Sequence, residues 1–245
     1  MVAGHKPLND LYLPVYNTEE GKRAYRETLD TVTNRYPQYV QEIQGTADGA
    51  KVPFYKLFLL HMDDILPNVV NQTNNPETHG CSSVMSNFPN SELLGHNEDA
   101  LAVTLNRVYI VNATILEGEK VVEKFCSYCY AGYLPGFCMS YNSHGLVYTV
   151  NIISAKNLAR AKTPRSILTR ALLRCRSLRC VEDVLRDCGA GAADAVSINL
   201  TFLDQEGDRL FHNIEVAPPS PSSPQESNMS VLTLSPGEYG YHFNR

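Results

Sequence analysis

The residues best suited to chemistry lie in segment 78–84, where Cys81 directly follows Gly80. A cysteine thiolate is a strong nucleophile, but another group must first remove the proton from the thiol. The nearby histidines His79 and His96 are one source of that base. A cut between Gly80 and Cys81 provides a second source, because Cys81 would then carry a free α-amine with a pKa of about 7.7–8.0.

Gly80 is a suitable residue to precede such a cut. It has no Cβ, so it tolerates strained backbone and leaves room for a thiol to attack its carbonyl carbon. We therefore predict Cys81 as the nucleophile and the Gly80–Cys81 bond as a cleavage site. The residues leave open which group removes the thiol proton of Cys81, a nearby histidine or its own α-amine.

A short hairpin is expected to position the nucleophile. Residues 82–85 and 92–96 have strand-like composition and flank a turn cluster of Phe, Pro, Asn and Ser at 88–91. The ends of antiparallel strands are neighbours in space. The thiol of Cys81 and the carboxylate of Asp99, just beyond the second strand, are therefore expected to meet.

The rest of the chain alternates between helical and strand-like segments. Helices are predicted to begin at Thr18, Pro53, Pro164 and Ser177, with an interruption at Pro37. Strands are predicted at 107–115, 121–130, 137–142, 145–152, 195–203, 209–216 and 230–234, with another beginning at 239. The order helices, strands, helices, strands fits a layered α+β fold. A group of arginines in the second helical block is interpreted as a solvated face: Arg170, Arg174, Arg176 and Arg179.

Composition narrows the class of protein. The 245 residues carry a net charge of -5, which argues against a nucleic-acid partner. No apolar run approaches the roughly 18 residues of a membrane span, and the N-terminus has no signal core, so we expect a cytoplasmic protein without a membrane partner. The 7 cysteines suggest no disulfide framework. Cys126 and Cys129 form a C-x-x-C without a second pair, and we expect neither a metal nor a cofactor.

The run Gly80-Cys81-Ser82-Ser83, followed by the hairpin and by Gly95-His96-Asn97-Glu98-Asp99, resembles the acyl-CoA:6-aminopenicillanate acyltransferase family of N-terminal-nucleophile hydrolases. Nearly the whole chain is similar to the animal branch of that family. This branch splits β-alanyl amines such as N-β-alanyl-dopamine and carcinine. Segments 17–22, 58–63 and 212–218 also carry the likeness.

The resemblance implies a four-layer αββα sandwich in one globular domain. It further implies an autocatalytic cut of a zymogen, in which residues 1–80 become a helical α chain and 81–245 a β chain that stay associated. Family members extend beyond both ends of this chain, so the fold is expected to be incomplete at its C-terminus. The implied reaction is amide hydrolysis through a thioester on Cys81, with a small-molecule amide as substrate.

The resemblance also assigns roles to individual residues. Asp99 corresponds to the carboxylate that contacts substrate or orients the new α-amine, with Glu98 as the second candidate for that role. His96 is the third member of this substrate-side group, and a structural role in the loop is favoured for it. Asn151 corresponds to an asparagine that faces the nucleophile, and Asn244 to the asparagine that binds the oxyanion.

Other functions remain open from the sequence. One is an acyl-CoA-dependent N-acyltransferase of the same family, and another is a truncated member that keeps the fold without catalysis. A third is a Cys-His peptidase that does not cut itself, with His79 or His96 as its base.

Overall fold

The computed structural model describes residues 4–63, 65–71, 80–100, 102–155 and 157–243. A π-helical turn, Leu8–Tyr12, opens the described chain. The helices are α1 (Leu13–Tyr16), α2 (Glu19–Arg35), α3 (Pro37–Ala50), α4 (Phe54–Leu60), α5 (Ile65–Asn71), α6 (Arg165–Leu172) and α7 (Leu178–Arg186). The predicted start of α2 is confirmed, because the Thr18 hydroxyl accepts a hydrogen bond from the Gly21 N–H at 3.0 Å. Ser177 caps α7 in the same way through the N–H of Cys180.

The strands form two antiparallel sheets. They are β1 (Ser82–Phe88), β2 (Ser91–Asn97), β3 (Val108–Glu117), β4 (Lys120–Tyr130), β5 (Ser140–Asn142), β6 (Leu146–Ile153), β7 (Ala195–Phe202), β8 (Phe211–Ala217), β9 (Asn228–Leu234) and β10 (Tyr239–Phe243). The small sheet has the order β10-β1-β2, and the large sheet runs β3-β4-β5-β6-β7-β8-β9. The predicted hairpin is confirmed as β1–β2, with Ser82 opposite Asn97. The mixed helix and sheet content confirms an α+β fold.

The central strands of the large sheet are buried on both faces. Along β7, the apolar residues Val196, Ile198 and Leu200 join the helices in the main hydrophobic core. The alternate residues Ser197 and Asn199 are also buried. Since successive side chains of a strand point to opposite faces, one face of the sheet is apolar and the other is polar.

The small sheet packs against that polar face. The Ser83 hydroxyl of β1 reaches Asn151 of β6, and Met85 of β1 packs in a second apolar cluster with Phe211 and Leu234. The molecule is therefore layered, with helices, the large sheet and the small sheet in succession. Among the residues described, no helix has the length and apolar character that a membrane crossing requires.

The prediction of a solvated arginine face is wrong for Arg170. Its side chain is 1% exposed, and it forms ion pairs with Glu42 of α3 at 2.6 Å and with Glu123 of β4 at 2.7 Å. The guanidinium carbon also lies 4.6 Å from the ring centroid of Tyr39 and 4.8 Å from that of Phe125. The remaining arginines of the group are exposed: Arg174, Arg176 and Arg179.

Candidate active site

Cys81 lies immediately before β1, at the end of the hairpin where β2 also stops. Its side chain is buried, and the thiol donates a hydrogen bond to Oε1 of Glu98 across 3.8 Å. Because Ser82 pairs with Asn97, the residues just before β1 and just after β2 are brought together. The hairpin thus places the Cys81 thiol beside a carboxylate, but this carboxylate belongs to Glu98 and not to Asp99, for which the sequence predicted the contact.

The thiol of the intact chain is held in its protonated form. Burial, together with the negative charge of Glu98, raises the pKa of Cys81 to about 12. A hydrogen bond from the backbone N–H of Asp99 to the sulfur opposes this shift. Since the thiolate is the reactive species, a neighbouring base must take the proton during attack.

Glu98 is held in place by two further side chains. The Tyr130 hydroxyl donates a hydrogen bond to Oε1 at 2.6 Å, and Nε2 of His96 lies 3.0 Å from Oε2. Burial and the nearby negative charge of Glu98 raise the pKa of Tyr130, so its hydroxyl keeps its proton and acts as a donor. The carboxylate beside the thiol is therefore fixed in orientation.

The structure separates the two acids that follow β2. Glu98 brings its carboxylate to the thiol, while the side chain of Asp99 is exposed and its backbone N–H contacts the sulfur. The sequence favoured Asp99 for the role beside the nucleophile and placed Glu98 second. In the intact chain the geometric order is the reverse.

Ser83 connects the hairpin to the large sheet. Its hydroxyl lies 2.8 Å from Nδ1 of His96, 3.2 Å from the Thr149 hydroxyl and 2.7 Å from Oδ1 of Asn151. An amide oxygen can only accept, so the Ser83 hydroxyl donates its proton to Asn151. The nitrogen Nδ1 of His96 must then donate to Ser83, which leaves Nε2 of the imidazole facing Glu98.

A row of asparagines crosses the polar face of the large sheet. Nδ2 of Asn213 donates to Oδ1 of Asn199 at 2.8 Å, and Nδ2 of Asn199 donates to Oδ1 of Asn151 at 2.9 Å. Each amide fixes the orientation of the next, because a flip would place two donors face to face. The Nδ2 group of Asn151 is buried and has no hydrogen-bond partner among the described residues.

The buried Nδ2 group of Asn151 is an unused hydrogen-bond donor, which is chemically informative. Burying such a group without a partner costs about 1–3 kcal/mol, so a structure that keeps one has a reason to do so. An oxyanion formed at an attacked carbonyl is an acceptor that would satisfy it. Asn151 lies one hydrogen bond from Ser83, which is two residues after Cys81 in the chain.

Two predicted site residues lie outside the described residues. These are Asn244, the predicted oxyanion donor, and His79, one candidate base. The strand before Asn244 ends at Phe243, which pairs with Ser82, the residue after Cys81. Gly80, the predicted residue before the cut, is described and half-buried.

Several residues of the site were missed by the sequence reasoning. They are Ser83, Tyr130, Thr149 and Asn199, all of which bond to a predicted site residue or to one of its partners. A signal for part of this set was present, because apolar and polar residues alternate along β7 and mark a polar face. No such pattern identifies Tyr130, since it reaches Glu98 across 32 residues of sequence.

Comparison with known proteins places this geometry in context. A family model described as "Acyl-coenzyme A:6-aminopenicillanic acid acyl-transferase" matches residues 86–233. The matched region contains His96, Glu98, Asp99 and Asn151, and it begins after Cys81. The chain is also 48% identical to a protein named "Beta-alanyl-dopamine/carcinine hydrolase" from Drosophila melanogaster, in an alignment that covers 98% of this chain.

The chain spans 64% of the length of this curated relative. The family match covers more than half of the chain, and the hydrolase from Drosophila melanogaster is similar along almost all of it. The chain therefore belongs to the acyl-coenzyme A:6-aminopenicillanic acid acyl-transferase family.

Proposed function

We propose that the chain is a self-processing cysteine amidohydrolase of the N-terminal-nucleophile type, acting on N-β-alanyl amines. The observation that carries this proposal is the buried thiol of Cys81, directly after Gly80 and beside the anchored carboxylate of Glu98. The family membership and the name of the Drosophila melanogaster relative support amide chemistry. With them we propose the four-layer αββα sandwich, of which the described residues supply helices and two antiparallel sheets.

The first proposed step is the cut of the chain itself. The Cys81 sulfur attacks the carbonyl carbon of Gly80, and Glu98 takes the thiol proton, since its Oε1 is the acceptor of the S–H bond. The C–N bond then breaks, the proton passes to the departing nitrogen, and a thioester joins Gly80 to the sulfur. Water hydrolyses that thioester, which releases the Gly80 carboxylate and frees both the thiol and the α-amine of Cys81.

The second proposed step is turnover of the substrate. The new α-amine, with an ordinary pKa of about 7.7–8.0, is suited to take the thiol proton at neutral pH. The thiolate attacks the substrate amide, the amine product leaves with that proton, and water hydrolyses the acyl thioester. A well-placed acid–base group contributes roughly 10²–10⁴-fold to such a reaction.

The amide of Asn151 is the proposed oxyanion donor among the described residues. Its Nδ2 is unpartnered and its orientation is fixed by Asn199, so it is preorganised for a developing negative charge. Asn244 remains the second proposed donor. For a β-alanyl substrate, the ammonium group requires an anionic partner, and Asp99 with its exposed carboxylate is proposed for that contact, with Glu98 as the alternative.

Two measurements test the proposal. Mass spectrometry of the purified chain should find a fragment that begins at Cys81, and Cys81→Ala should abolish it. Cys188→Ala, which removes an exposed thiol far along the sequence, is the matched control and should process normally. A wild-type chain that stays intact would overturn the self-processing mechanism.

The substrate class is tested by incubating the processed protein with β-alanyl-dopamine and carcinine and quantifying free β-alanine. The name of the matched family makes an acyl-CoA-dependent acyltransferase the second candidate, so an acyl-CoA with an acceptor amine is assayed in parallel. Product only from the second pair would replace the proposed substrate class. Processing without either activity would indicate a member that has kept the fold without catalysis.

A further inference from the structure

Cys81, His96 and Glu98 present three metal-binding side chains at one place. Their ligand atoms, the thiol sulfur, an imidazole nitrogen and a carboxylate oxygen, all lie within 4.8 Å of one another. The carboxylate links the other two, with Oε1 at 3.8 Å from the sulfur and Oε2 at 3.0 Å from Nε2 of the imidazole. We propose that these residues bind Zn²⁺, or another borderline-soft divalent cation, and that the bound ion blocks the thiol.

The spacing is close to what such an ion needs. A tetrahedral Zn²⁺ with bonds of about 2.0–2.3 Å holds neighbouring ligand atoms roughly 3.3–3.7 Å apart. The two contacts of the Glu98 carboxylate, 3.8 Å to the sulfur and 3.0 Å to Nε2, lie on either side of that range, and the three ligand atoms lie within 4.8 Å of one another. Side-chain rotations must therefore bring the ligand atoms to their bonding positions when the ion binds. Sulfur, imidazole nitrogen and carboxylate oxygen are the three donor types that Zn²⁺ accepts, and water or a further group takes the fourth position.

The surroundings orient the ligands. Nδ1 of His96 donates its proton to the Ser83 hydroxyl, so Nε2 is the ring nitrogen directed at Glu98, and a cation binds there by displacing the proton that Nε2 shares with Oε2. A hydrogen bond on the other ring nitrogen is the usual support of a metal-binding histidine. The Tyr130 hydroxyl holds the carboxylate in the same manner. The side chain of His96 is only 5% exposed, so its orientation is restricted before any ion arrives.

Binding changes the state of the thiol without oxidation or reduction. The S–H bond of Cys81 breaks, its proton leaves to solvent, and the sulfur binds the cation as thiolate. The cation also displaces the proton that lies between Nε2 of His96 and Oε2 of Glu98, and this second proton leaves to solvent as well. Both the nucleophile and its nearest proton acceptor are then occupied, so the cation would act as a reversible inhibitor of the thiol.

The binding site stands on the geometry alone, whereas the effect on self-cleavage rests on the proposed function. The chain, stripped of metal with a chelator, is titrated with Co²⁺, and the thiolate-to-cobalt charge-transfer absorption is recorded. We expect a saturable band that Zn²⁺ displaces. The band should disappear in Cys81→Ser and persist in Cys188→Ser, which removes an exposed thiol instead.

The other ligands are tested by His96→Ala and Glu98→Gln, which should each weaken Co²⁺ binding. Ser83→Ala removes only the outer partner of His96, and a loss of about 10–100-fold in affinity is expected for it. Circular dichroism checks that each variant is folded. If His96→Ala does not fold, Glu98→Gln still tests the site, because glutamine has nearly the same shape as glutamate. Absence of the band in the wild type overturns the site. So does a band that survives Cys81→Ser, or one that depends on Cys81 but is unchanged in both His96→Ala and Glu98→Gln.

The consequence for the thiol is measured separately. At free Zn²⁺ ten times its measured Kd, processing of the chain should slow by about tenfold, because only about one molecule in ten is then free of the ion. If the metal-free chain never cuts itself, the proposed function fails while the cobalt band still decides the site. If the chain cuts itself at the same rate with and without saturating Zn²⁺, the inhibitory role is overturned.

Discussion

The Ser83 hydroxyl donates a hydrogen bond to Oδ1 of Asn151 over 2.7 Å, and this bond joins the small sheet to the large one. The Ser83 hydroxyl oxygen also accepts a hydrogen bond from Nδ1 of His96 at 2.8 Å. Ser83 therefore positions two site residues at once, one on each sheet. It does not touch the thiol, so its effect on the reaction must pass through its partners.

Replacement of Ser83 by alanine should slow self-cleavage and destabilise the fold by about 1–3 kcal/mol, because buried polar groups lose a partner. Urea unfolding and the rate of fragment formation measure the two effects. Ser86→Ala on the same strand is the matched control, since its hydroxyl bonds the Ser91 carbonyl at an exposed site. Equal behaviour of the two variants would show that the link between the sheets has no such role.

The free thiols should differ strongly in reactivity. A hydrogen bond from Cys175 lowers the pKa of Cys180 to about 6, whereas burial raises that of Cys81 to about 12 in the intact chain. At pH 7 iodoacetamide should therefore label Cys180 first, as read by peptide mass mapping. Cys175→Ala should slow labelling of Cys180 by removing the supporting hydrogen bond. Labelling of Cys81 in the uncut chain as fast as of Cys180 would contradict this assignment.

The free energy of unfolding should decrease as the pH is lowered, because a buried histidine is neutral in the folded chain. His61 is 2% exposed, and burial lowers its pKa to about 3 from the ordinary 6.5. Below pH 6.5 the unfolded chain binds a proton at this residue and the folded chain does not, so stability is complete above that pH and is lost as pH falls towards 3. The slope approaches about 1.4 kcal/mol per pH unit for one such group.

The contribution of His61 is isolated by difference. The His61→Leu variant should unfold with a flatter pH dependence than the wild type between pH 6.5 and 5 in urea. His144→Leu, which replaces a partly exposed ring, should change the profile less. Parallel pH profiles for wild type and His61→Leu would mean that the buried ring is protonated in the folded chain.

Of the arginines that the sequence predicts to be solvated, Arg170 should cost the most stability when it is replaced. Arg170→Met leaves the carboxylates of Glu42 and Glu123 without their buried partner, and the expected loss of stability is about 3–5 kcal/mol. Arg179→Met breaks only an exposed pair with Asp183 on α7, and about 0.3–0.5 kcal/mol is expected. Thermal unfolding of both variants checks the contrast, and similar melting temperatures would refute it.

The sequence predicted the features that depend on local order. Caps at Thr18 and Ser177, the turn between β1 and β2, and the adjacency of Cys81 to an acid after β2 all follow from residues close together in the chain. The choice between Glu98 and Asp99 did not, because neighbouring residues after a strand point in different directions and the structure alone fixes which carboxylate meets the thiol.

Features that depend on contacts between residues far apart in the sequence could not be predicted from local patterns. The bond from Asn213 to Asn199 requires the register of β7 and β8, and the bond from Asn199 to Asn151 that of β6 and β7. Arg170 was misjudged for the same reason, since Glu42 lies 128 residues away in sequence and Glu123 lies 47 away. Helical periodicity identifies a buried position but not the acids that neutralise a cation there.

The contacts of the N-terminal helices would take on a new status once the Gly80–Cys81 bond is broken. Arg170 with Glu42, Arg35 with Asp187 and Arg160 with Glu20 would then join two separate polypeptides. The protein would be a heterodimer whose halves co-elute in gel filtration and part only in denaturant. Its unfolding midpoint would then rise with protein concentration, as that of an uncut monomer does not.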